Sequence, residues 1–147
     1  MPQVQTRIRV PFPDVDSSGR IHFIALFRYF EVADHDLMRA IGYPYSVLFR
    51  DQAYPRVHAS CDYRGPIYFD DVLVITARIA HVGTSSWTVA FAAQVAEPSA
   101  IMPDDQRDIT AVVAEGKITI ASMHPQEQRA IPIPNGLRQA LSGESLP

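Results

Sequence analysis

One cysteine, Cys61, is all that this chain of 147 residues contains. That excludes an internal disulfide and any metal site built from several cysteines. Cys61 falls in an alternating stretch, where a small core filler is the expected role and a catalytic thiol is not. Basic residues are also scarce: thirteen Lys and Arg face sixteen Asp and Glu, for a net charge of −3 and no basic run. The electrostatic footprint of a nucleic-acid binder is therefore missing. No apolar run approaches the ~18 residues of a membrane span, and MPQVQTRIRV lacks the basic, apolar, small-residue order of a signal peptide. A cytoplasmic protein with no membrane or nucleic-acid partner is expected. Repeats, low-complexity tracts and linkers are absent too. With 47% hydrophobic and 20% charged residues, one domain over 1–147 with one core is expected.

What is present is strong periodicity. Val4, Thr6, Ile8 and Val10 alternate with Gln5, Arg7 and Arg9, the pattern of a strand with one wet face, ended by Pro11 and Pro13. From about Ile24 to Ile41 the apolar positions Leu26, Phe30, Ala33 and Leu37 recur at steps of four and three, while Arg28, Glu31, His35 and Arg39 fall opposite. This predicts a helix of about five turns, stopped by Gly42 and Pro44. Phe23, Ile24 and Phe27 widen its apolar stripe, so much of its circumference should be covered. Alternation then predicts strands over Val57 to Tyr63, Val72 to Val82, Trp87 to Val95 and Ile109 to Ser122, with Gly83-Thr84-Ser85 closing a hairpin. Gly116 reads as a possible bulge, residues 97–108 as a longer loop, and Asn135 as the cap of a short helix over Leu137 to Leu141. The order is α+β, with one sheet burying one unusually apolar helix.

The stretch "FPDVDSSGRIHF", residues 12–23, sets two aspartates one residue apart before that helix. Such residues commonly end a strand and shape a turn. The pair Asp14-Val15-Asp16, with Gly19 three residues on and the long helix reaching Glu31, resembles the signature of the 4-hydroxybenzoyl-CoA thioesterase-like branch of the hotdog-fold acyl-CoA thioesterases. "DYRGPIYFDDVLVITARI" at 62–79 and "RAIPIP" at 129–134 match in the same order along the chain. The resemblance implies a five-stranded antiparallel sheet wrapped around the helix and a homodimer or homotetramer with active sites at subunit interfaces. It also implies an acyl-CoA thioester as substrate, with coenzyme A part of that substrate and no further cofactor or metal. Asp16 becomes the catalytic carboxylate, and the backbone N–H of Phe23 the group that polarises the thioester carbonyl. Two departures stand out. Many relatives carry His and Asn where this chain has Phe23 and Ala25, and the 82–86 turn, basic in some members, is Val-Gly-Thr-Ser-Ser.

The chemistry tolerates these losses. A carbonyl oxygen near the positive end of a helix is stabilised as charge develops, without an acidic side chain. Asp16 could attack the carbonyl or activate a water. Coenzyme A leaves readily as a thiolate, so a general acid is less needed. Substrate-binding candidates are His22 at the helix start, Tyr45 as an aromatic wall, His58 and Ser60 on one strand face, and Arg129 for the coenzyme A tail. Each has a plainer reading as a packed or solvated residue. Three functions remain open: a thioesterase for a small aromatic or medium-chain acyl group, an enoyl-thioester hydratase using Asp16 with His22, and a non-catalytic acyl-CoA-binding dimer. The Asp16–His22 spacing is one residue longer than in hotdog hydratases.

Overall fold

A computed structural model describes residues 1–101 and 107–144. Strand β1 (Gln3–Arg9) leads through one 3₁₀ turn (Phe12–Asp14) to helix α1 (Ala25–Ala40) and a short α2 (Tyr45–Leu48). Strands β2 (Arg56–Tyr63), β3 (Val72–Val82), β4 (Ser86–Glu97) and β5 (Val112–Ala121) follow, and α3 (Asn135–Ser142) ends the described chain. All strands join one antiparallel sheet in the order β1-β3-β4-β5-β2. α1 lies on one face of it, and Leu26, Phe30, Ala33 and Leu37, fully buried, meet Leu73, Ile75, Val89 and Ile120 there. The predicted α+β plan is the observed one.

The differences have local causes. Gly116 is not a bulge: it pairs in register with Cys61 and Phe91. A Cβ there would stand 2.4 Å from Cε2 of Phe30 and 2.7 Å from the Ser60 carbonyl oxygen. The residue is small because the Phe30 ring, stacked on Phe91 at 4.7 Å, presses against the sheet. Asn135 is not a cap: Pro134 occupies that position with no side-chain hydrogen bond, and Asn135 is the first helical residue. β5 starts at Val112 rather than Ile109, because Asp108 accepts from the amide and hydroxyl of Thr110 and holds a turn there. Residues 102–106 of the expected loop lie outside the described residues. α2, too short to show a period, was not anticipated.

The covering of α1 is also less complete than its sequence suggests. Phe23, Ile24 and Val32 stay 61%, 53% and 46% exposed. The sheet reaches only one side of the helix, and the uncovered apolar residues lie toward β2. That strand is itself a sheet edge, with seven of its eight residues exposed.

Candidate active site

Residues 14–22 fold back on themselves. His22 donates its amide to the Asp14 carbonyl at 2.7 Å, Val15 pairs with Ile21, and Asp16 donates to the Arg20 carbonyl at 2.8 Å. Gly19 closes the tip at φ +79°, a conformation that favours glycine. This small hairpin is tied to the segment before β3: Ile21 donates to the Ile67 carbonyl, Phe69 donates to the Gly19 carbonyl, and Arg20 pairs with Tyr68.

The two aspartates separate in role. Asp14 is largely covered: it accepts from the Tyr29 hydroxyl at 2.6 Å and pairs with Arg28, so it binds the turn to the first turns of α1. Asp16 is exposed, and its Oδ1 accepts from the hydroxyl and the amide of Ser18. The Ser18 hydroxyl first, then its amide, hold the Asp16 carboxyl below its ordinary value, with a smaller contribution from nearby His22. At neutral pH the group is a carboxylate, the form that an attacking group or a base requires.

α1 begins at Ala25, two residues after Phe23. Ala25 donates to the His22 carbonyl at 2.9 Å, and Ile24 donates to Nδ1 of His22 at 3.4 Å. His22, stacked on Phe23 at 5.0 Å, thus closes the helix start. Among the described residues the Phe23 N–H has no acceptor. Tyr63, at the end of β2, donates its hydroxyl to the Phe23 carbonyl and fixes the following peptide from the sheet side. Burial pushes the Tyr63 phenol up to about 12, so it stays a donor. Tyr63 was not among the expected site residues. The signal was its place on the strand face shared by Val57, Ala59 and Cys61, where it alone carries a polar tip.

The other candidates lie elsewhere. Tyr45 is buried beside Asp34, far along α1, where it donates to Asp34 Oδ2 at 2.8 Å. His58 and Ser60 pair with Thr119 and Lys117 on the sheet face turned away from α1. Arg129 sits in the loop after β5 and pairs with Glu127. That loop packs near the β3–β4 turn, since Ile133 donates to the Thr84 carbonyl. β3 has 11 residues, so within one chain this end is roughly 35 Å from the Asp16 turn. Cys61 faces α1, and burial pushes its thiol up, away from nucleophile chemistry.

Along α1 from the turn runs a cavity of about 420 Å³, walled by Phe27, Phe49, Ala59 and Ile118 and closed toward the far end by Asp34 and Arg56. Another concavity, about 280 Å³, lies on the opposite face of the sheet between Arg78, Ala90 and Lys117.

The sequence profile of the thioesterase superfamily matches residues 18–98. The chain belongs to that superfamily. A protein of Aquifex aeolicus (strain VF5) that carries the provisional name of an esterase is 33% identical to this thioesterase over 93 residues, covering 62% of this chain and 71% of its own. A 1,4-dihydroxy-2-naphthoyl-CoA hydrolase of Rippkaea orientalis is 23% identical over 130 residues, 87% of each chain. Among solved structures, the 4-hydroxybenzoyl-CoA thioesterase of Pseudomonas sp. strain CBS-3 superposes with a TM-score of 0.79 at 19% identity, covering 95% of this chain and 99% of its own. The thioesterase has the hotdog fold, as its sequence resemblance implied.

Proposed function

We propose that this thioesterase is a cytoplasmic enzyme that hydrolyses acyl-CoA thioesters carrying a small aromatic or medium-chain acyl group. Asp16 acts as nucleophile or general base, and the Phe23 N–H receives the developing oxyanion. The observation that carries this reading is the unsatisfied Phe23 N–H beside a turn that holds an ionised Asp16. A donor that is already fixed and unpaired loses nothing on meeting the carbonyl oxygen, and such preorganisation is the largest single aid to acyl transfer. The names of the curated and solved relatives, hydrolases and thioesterases of aromatic acyl-CoA, agree with it. The test is thiol release from a panel of acyl-CoA and enoyl-CoA thioesters. Loss of enone absorbance without thiol would favour a hydratase, and binding without either would favour a non-catalytic role.

His22 decides between the two enzymes. Its Nδ1 accepts the Ile24 amide, which assigns it to the helix start rather than to proton transfer. His22→Ala is expected to keep thiol release within about tenfold. A loss beyond roughly a thousandfold, with folding intact by circular dichroism, would move the mechanism to an Asp16–His22 pair.

The proposal includes a homodimer or a homotetramer. β2 is an edge strand with free backbone groups, and Val57 and Tyr63 stay 59% and 45% exposed on its α1-facing side beside Phe23 and Ile24. Pairing β2 with a second copy would cover this patch and bring a second subunit to the Phe23 turn. Sedimentation velocity at micromolar concentration is expected to show a dimer or larger, and Val57→Glu to shift it toward monomer with loss of turnover. A stable, fully active wild-type monomer would remove the interface from the site.

A further inference from the structure

Asp34 is the unexplained group of this molecule. It lies on α1 at 1% exposure, yet its position is no ordinary place for a carboxylate, since most of its neighbours are aromatic or aliphatic. Tyr45 and Arg56 both donate to one of its oxygens, Oδ2, at 2.8 and 3.2 Å, and the Arg56 guanidinium stacks over the Tyr45 ring at 4.6 Å. The other oxygen, Oδ1, is buried with no donor. A buried acceptor left unpaired costs about 1–3 kcal/mol. Burial also pushes the Asp34 carboxyl up against the pull of Tyr45 and Arg56.

This residue lines the cavity that runs along α1. From Phe27 at the near end to Asp34 is seven residues of helix, roughly 10 Å. The cavity's about 420 Å³ falls within the usual size of a small-ligand pocket, with mostly apolar walls and a few converging polar groups. We infer that Asp34, held by Tyr45 and Arg56, is a specificity-determining residue whose unpaired Oδ1 accepts a hydrogen bond from a donor, a hydroxyl or an amine, at the far end of an aromatic acyl group. The inference rests on the thioesterase reading and deepens it. A plain ring leaves Oδ1 unpaired and gains only apolar contact, whereas a ring with a terminal donor satisfies it. A site built to pair a substrate hydroxyl or amine discriminates strongly against the analogue that lacks it.

The arrangement also says what asparagine would do. Both protein donors converge on Oδ2, so in Asp34→Asn the amide carbonyl takes that place and the NH₂ group replaces Oδ1. An acceptor becomes a donor. A phenol can turn and accept from it, and an aromatic amine cannot.

The experiment compares kcat/KM for benzoyl-CoA, 4-fluorobenzoyl-CoA, 4-hydroxybenzoyl-CoA and 4-aminobenzoyl-CoA by thiol release. In the wild type the hydroxyl and amino substrates are expected to exceed the other two by tenfold or more. In Asp34→Asn the amino substrate is expected to lose its advantage by at least tenfold, and the hydroxyl substrate to lose less. Release at similar rates from all four in the wild type would overturn the inference while leaving the thioesterase reading in place, and this arm needs no variant that folds. An equal fall for all four in Asp34→Asn would also overturn it, as the mark of a structural residue. No thiol from any of the four would take down both.

Discussion

Replacing Asp16 by asparagine is expected to lower thiol release by ~10²–10⁴ while acyl-CoA binding, measured by calorimetry, stays within a few fold. The size and the bonds to Ser18 are kept, because the amide oxygen can still accept from that hydroxyl and amide. What disappears is the negative charge that attacks the carbonyl or takes a proton from water. Asp14→Asn is expected to behave differently. Asp14 meets Arg28 and the Tyr29 hydroxyl, and the latter belongs to a buried side chain. Weakening those bonds should cost about 1–3 kcal/mol of stability, with a smaller effect on turnover. Equal, modest losses from both substitutions would reduce the pair to a turn, as would full turnover by Asp16→Asn.

The largest effect on stability is expected from Arg107→Ala. Asp71, immediately before β3, is completely buried, and Arg107 grips it with both Nη atoms at 2.7 and 2.8 Å. The amides of Tyr68 and Ser99 also donate to it, each at 2.8 Å. Burial alone would push the Asp71 carboxyl up, but Arg107 and these two amides outweigh it and hold the group below its ordinary value. A carboxylate with a depressed value adds stability that is complete above about pH 4 and is lost as the pH falls through its folded value. Removing Arg107 leaves that charge buried without its main partner, and urea unfolding near pH 7 should show a loss of about 3–5 kcal/mol. The acid dependence below about pH 4 should flatten in the same variant. A loss below about 1 kcal/mol would show that Asp71 relaxes into solvent. Turnover should fall as well, since Tyr68, held by this pair, braces the turn that bears Asp16.

Much of this was legible in the chain. The five strands and the long helix follow from alternation and from the apolar steps Leu26, Phe30, Ala33 and Leu37, because each is a local period that burial on one face imposes. Asp16 and Phe23 were singled out by resemblance, and the structure places them in one turn and the residues just before α1. What could not be read were pairings between segments far apart in sequence. Tyr63 reaches Phe23 across 40 residues, and Arg107 reaches Asp71 across 36. No periodicity encodes such contacts. Asp34 was hidden for another reason. It sits on the buried side of a helix whose pattern there is otherwise apolar, and only its three-dimensional partners make a carboxylate tolerable. Gly116 was misread because a glycine in a strand fits a bulge and a close ring equally well until the ring is placed.

The bracing of the 14–22 hairpin bears on how the enzyme matures. Its backbone partners are residues 67–69, which depend on Asp71, which depends in turn on Ser99 and Arg107 beyond β4. The first structure to leave the ribosome therefore has nothing to rest on until most of the sheet has been made. Closing loops of that length before any contact rewards them is slow. A half-made chain can hold α1 and the β3–β4 hairpin and still offer substrate no ordered turn. Hydrolysis is then among the last properties the chain acquires, which spares the cell's acyl-CoA pool from unfinished copies.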